Sequence, residues 1–82
     1  MTTYDKMSPA HAEWTRKMIA RADYFTACMF LGSGRFDTRR AATLEEAREL
    51  RAAIEAEHVG NYGRGAMIYA VVAGGAVTVH VE

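Results

Sequence analysis

The chain has 82 residues, half of them hydrophobic and 24% charged, with a single proline; this is the composition of one small globular domain over residues 1–82 and excludes a disordered chain. Ten basic residues balance ten acidic ones, so no long-range field gathers the protein onto a polyanion, which makes nucleic acid the less favoured partner. No run reaches the roughly 18 apolar residues of a membrane span, the first residues form no secretory signal, and the lone Cys28 cannot close an intrachain disulfide, so a cytoplasmic location is expected.

Ser8-Pro9 is a helix start, a capping hydroxyl followed by a proline where no N–H is needed. The spacing predicts a first helix to about Ala22, docked through Trp14 on a stripe of Met7, Ala10, Trp14, Met18 and Ala22. Tyr24 to Leu31 reads as an apolar strand and Arg35 to Ala41 as its antiparallel partner, joined by a bulged Gly32-Ser33-Gly34 loop. This register sets Phe30 opposite Phe36 and Cys28 beside Thr38, and puts Phe25, Ala27, Met29 and Leu31 on the other face with Arg35, Asp37 and Arg39.

Thr43-Leu44-Glu45-Glu46 has the form of a capping box, with the Thr43 hydroxyl on the Glu46 N–H and the Glu46 carboxylate reaching back to Thr43. The second helix buries Ala47, Leu50 and Ile54, flanked by Leu44 and His58, and Arg51 stands four residues before Glu55 as an ion pair. Val59 to Gly65 is a loop. Ala66 to Ala73 and Ala76 to Val81 then form a second hairpin on a two-residue Gly74-Gly75 turn. Ile68, Ala70 and Val72 face Val81, Val79 and Val77 as core, with Met67, Tyr69, Val71, Thr78, His80 and Glu82 on the reverse. The expected class is α+β, in the order αββαββ, with an antiparallel sheet of about four strands packed against two helices.

Reaction chemistry is not indicated. Cys28 lies mid-strand as a small apolar filler, and His11, His58 and His80 come from three separate elements without a metal-ligand spacing. Gly32-Ser33-Gly34-Arg35 joins two strands instead of opening a helix, so it is no phosphate loop. The acids are helix-surface residues plus Asp23 and Asp37, with no converging pair. No catalytic residue, metal or cofactor is therefore expected, and a non-enzymatic role follows.

Binding is the remaining role. If Cys28, Phe30 and Phe36 are core, the sheet's other face exposes Phe25, Met29 and Leu31, rimmed by Arg35 and Arg39 near Tyr69 and His80, unless the first helix covers it. Tyr62 and Arg64, anchor residue types in a glycine-rich loop, add to the candidate partner-binding set. Exposed edges at Leu31 or Val81 leave monomer and homodimer both open.

Gly34-Arg35-Phe36-Asp37-Thr38 followed by Thr43-Leu44-Glu45-Glu46-Ala47 resembles the strands and helix of AP2-like DNA-binding domains. That resemblance implies a sheet face in the major groove, with Arg35 and Arg39 as DNA contacts. In size, neutral charge, element order and Ala/Arg/Glu-rich composition the whole chain is similar to small phage-encoded anti-CRISPR proteins, particularly type I-C inhibitors. This second resemblance implies a non-enzymatic, stoichiometric inhibitor in the host cytoplasm that binds the type I Cascade complex and blocks target DNA binding.

Overall fold

The computed structural model describes residues 8–60 and 65–82. Ser8 caps helix α1 (Pro9–Arg21), its hydroxyl accepting the His11 N–H at 3.3 Å, with Pro9 in the first turn. Thr43 caps helix α2 (Leu44–Glu57), its hydroxyl accepting the Glu46 N–H at 3.1 Å. The Glu46 carboxylate reaches one residue further back than the capping box predicts, to the Ala42 N–H at 3.3 Å.

Strands β1 (Tyr24–Gly32), β2 (Arg35–Ala41), β3 (Met67–Val72) and β4 (Val77–His80) form one antiparallel sheet in the order β2-β1-β3-β4. Two helices with a four-stranded antiparallel sheet make the chain α+β, as its sequence predicts. The hairpin registers match at Phe30 opposite Phe36, Cys28 opposite Thr38, Ala70 opposite Val79 and Val72 opposite Val77, while a bulge between Phe30 and Gly32 sets Arg35 opposite Gly32, one residue beyond the expected Leu31. The hairpins join through β1 and β3, where Phe25 meets Ala70 and Ala27 meets Ile68.

That central pairing decides which face is core. Ile68, Ala70, Val72, Val79 and Val81 are buried, whereas Val77, expected in this core, is 41% exposed at the start of β4, and strand alternation brings Phe25, Ala27, Met29 and Ala41 to the same side. Ala47, Leu50 and Ile54 of α2 pack there, and Met18 and Ile19 of α1, with Ala22 at its end, pack against the same cluster. Both helices thus cover one face.

The expected assignment of faces in the first hairpin is reversed. Phe25 and Met29 are core at 5% and 2% exposure, whereas Phe36 is 60% and Phe30 37% exposed. Both faces of β1 are apolar in sequence, so alternation within the strand carries no sign, and only the register against β3 supplies it.

Trp14 does not dock α1: it is 44% exposed against His11, with ring centroids 5.9 Å apart, and Ala12 and Thr15 are buried in its place. A stripe through Ala12, Thr15, Ile19 and Ala22 is also three- and four-residue periodic, so helical spacing alone permits either. Met7 lies outside the described residues.

The second turn is not the expected two-residue connection. Val72 pairs with Val77, and the chain turns through Ala73–Gly75 and Ala76, with left-handed φ of 55° at Ala73 and 64° at Gly74. Asp23 fastens this turn to the end of α1, its carboxylate accepting the Gly74 N–H at 2.7 Å.

After β4 the Ile68 carbonyl accepts both the Val81 and Glu82 N–H groups, at 2.9 and 3.3 Å. This doubled pairing acts as a bulge, which turns Glu82 off the reverse face where alternation had placed it. Its side chain is 4% exposed and pairs with Arg48 and with Arg51 at 3.3 Å. Arg51 thus pairs with Glu82, not with Glu55 as helical spacing predicts; Glu55 accepts the Ala66 N–H at 2.9 Å.

Candidate functional site

With both helices on one side, neither described helix covers the other face of the sheet. The central strands present Tyr24, Thr26, Cys28 and Phe30 from β1, and Met67 and Tyr69 from β3; Val71, of the same parity, is buried at 5% exposure. Phe36, Thr38 and Arg40 come from β2, and Thr78 and His80 from β4.

These side chains organise one another across strands. Phe30 and Phe36 form a tilted pair at 5.2 Å between centroids, and Tyr69 and His80 another at 5.4 Å. The Tyr69 hydroxyl donates to the Met67 sulfur at 3.6 Å, and the Thr38 hydroxyl to the Cys28 sulfur at 3.3 Å. At the far end the Arg40 guanidinium lies over the Tyr24 ring, 3.5 Å from its centroid. Cross-strand aromatic contacts of this kind hold rings in place and reduce the rotamer freedom a ligand must freeze.

The described strand and helix carboxylates are one-sided. None of the described strand residues on the open face is a carboxylate: Asp37 alternates to the helix side, Glu82 is turned there, and Glu45, Glu46, Glu49, Glu55 and Glu57 ride on α2. Among the described strand and helix residues the carboxylates therefore lie on the helix side, mixed with Arg16, Lys17, Arg21, Arg39, Arg48 and Arg51, and the strand residues of the open sheet face carry none. Next to Arg40 an open recess of about 370 Å³ is lined by Asp23, Tyr24, Arg40, Ala41 and Ala42.

The structure separates the residues that the sequence grouped. Tyr69 and His80 do meet on the bare face. Arg39 does not join them. It donates to both Asp37 oxygens at 3.0 Å and to both Glu57 oxygens at 2.9 and 2.8 Å, tying β2 to the end of α2. The His58 ring completes this clamp, with Nε2 2.9 Å from the Asp37 carboxylate. Hydrogen bonds from Arg39, then from His58, hold the Asp37 carboxyl below its ordinary range, and Arg39 does the same for Glu57. The same two carboxylates raise the guanidinium's own pKa, with Glu57 the larger influence.

Arg35 is exposed at the first turn, paired with Gly32, and alternation sends its side chain to the side opposite Phe36. Tyr62 and Arg64 lie outside the described residues. Residues that sequence reasoning did not select are Tyr24, Phe30, Phe36, Arg40 and Met67. Their shared parity with Tyr69 was the available signal, hidden by the reversed choice of face. No described helix is long and apolar enough to cross a membrane.

No family model, curated protein or solved structure matches this chain.

Proposed function

We propose that this protein is a non-enzymatic binding module whose working surface is the helix-free face of its sheet, and that its partner is a protein complex. The observation that carries this is the exposure of Phe30, Phe36 and Met67 together on a face that neither helix covers. Large rings held in water cost free energy that a partner recovers on burying them. Following the type I-C anti-CRISPR resemblance, the specific partner is the Cascade complex, and the protein acts by occupying it and blocking target DNA binding.

Co-elution of the tagged chain with purified type I-C Cascade tests this. Wild type is expected to co-elute and to reduce duplex target binding, whereas Phe36→Asp and Tyr69→Ala, which alter the bare face and not the core, fold normally and lose both effects. Absence of a complex at micromolar concentrations rejects Cascade as the partner.

A second reading, DNA docking by the same face in the manner of AP2-like domains, is favoured by its freedom from carboxylates. Arg39 is unsuited to that role because two carboxylates engage it. Titration of labelled duplex against salt separates the two, since affinity carried by phosphate contacts falls steeply with ionic strength.

A further inference from the structure

Arg40 differs from the other arginines whose ion pairs are described. Arg39 is shared between Asp37 and Glu57, and Arg48 and Arg51 converge on Glu82. Arg40 has no such carboxylate among the described residues; its described contact is the Tyr24 ring beneath it. A guanidinium stacked on an aromatic ring keeps its N–H edges outward in the plane of the fork, the arrangement that receives a carboxylate through two parallel hydrogen bonds. The recess beside it gives such a group a place to sit, and the one acid lining that recess, Asp23, already accepts the Gly74 N–H.

We propose that the partner of the open face is a protein segment that sets an aspartate or glutamate carboxylate against Arg40 and lays an apolar side chain on the Phe30–Phe36 pair. This rests on the binding role proposed above and names the chemistry of the partner. Charge complementarity selects an acidic segment, because the described strand residues of the face bear the Arg40 guanidinium and no carboxylate, and the acid lining the recess, Asp23, is held by the Gly74 N–H. Composition selects protein over nucleic acid. Tyr, Phe, Met and Arg with no Lys, Asp or Glu among the described strand residues is the makeup of a protein-interface core, whereas a nucleic-acid strand brings one phosphate per nucleotide to a face whose single described guanidinium is Arg40.

Random linear peptides displayed on phage, selected on the immobilised full chain and counter-selected on the Phe36→Asp variant, test this whatever the natural partner is. Selected peptides are expected to be enriched in Asp or Glu, to bind more weakly as salt rises, and to lose at least about tenfold in affinity on Arg40→Gln. Arg40→Lys, which keeps the charge but not the fork or its stacking, is expected to fall between wild type and Arg40→Gln. Both variants are at an exposed position and should melt with wild type. Peptides without acid enrichment, or with equal affinity for Arg40→Gln, overturn the carboxylate anchor while dependence on Phe36 leaves the binding face standing. Selection that yields only peptides indifferent to Phe36→Asp overturns both. A labelled single-stranded oligonucleotide that binds wild type more tightly than the peptides, and loses binding with Tyr69→Ala, overturns the choice of protein over nucleic acid.

Discussion

Two phenylalanines on opposite sides of one sheet give the sharpest check of this fold. Phe25 on β1 is 5% exposed within the cluster of Ala70, Ile68 and Val79, and Phe36 on the neighbouring β2 is 60% exposed. Truncating a fully buried phenylalanine to alanine costs about 3–5 kcal/mol, transfer and cavity combined. The whole domain, at 82 residues, has a stability of about 4–12 kcal/mol. Phe25→Ala therefore removes a large share of it.

For Phe36 less than half of the side chain is covered, which scales a full burial of about 1.5–3 kcal/mol down to roughly 1 kcal/mol. The ring contact with Phe30 adds about 0.5–1.5 kcal/mol at most. Because each kcal/mol moves the midpoint of a domain this size by about 4–8 °C, Phe25→Ala is expected to melt well over about 12 °C below wild type, and Phe36→Ala within roughly half of that loss. Thermal unfolding followed by circular dichroism reads both. Equal losses, or a larger loss for Phe36→Ala, would refute the assignment of faces and with it the bare surface on which the functional proposal stands.

Acid should weaken the Asp37–Arg39–Glu57 clamp. Carboxyls whose folded pKa lies below the ordinary value add stability that is complete above that value and is lost as pH falls through the lowered one, so the loss sets in below about pH 4. Asp37→Asn is expected to flatten the acid limb of stability against pH; an unchanged slope would show that the clamp does not contribute. Glu82→Gln leaves two guanidiniums without their shared carboxylate, and with both arginines partly open to water the cost is about 1.5–3 kcal/mol, read as a lower urea midpoint at constant slope. Thr43→Ala removes the acceptor of the Glu46 N–H and is expected to cost about 0.5–2 kcal/mol, whereas Thr43→Asp retains the cap; equal losses would refute the capping role.

Much of the local structure is legible in the residues because its causes are local. A hydroxyl before a proline starts α1, a threonine three residues before a glutamate starts α2, and glycines at the first turn close the hairpin that pairs Phe30 with Phe36. The turn at Ala73 escaped this logic. A non-glycine residue there adopts φ of 55°, and its Asp23 tether to Gly74 comes from 51 positions away.

Two arginines were misread for the same reason. Arg39 and Arg51 have plausible roles within their own elements, and each is claimed by a carboxylate from another: Glu57 of α2 in one case, and Glu82 beyond β4 in the other. Sequence spacing ranks neighbours along one element and is blind to partners that the fold delivers.

The amino-acid order by itself specified the helices, the strands, the first turn and most of the hairpin registers, together with a core rich in Ala, Val and Ile. Only tertiary structure decided which side of the first hairpin faces water. Both sides of β1 are apolar, so its parity followed from pairing with β3, and that single choice moved Phe30, Phe36 and Arg40 to the surface and buried Phe25 and Met29.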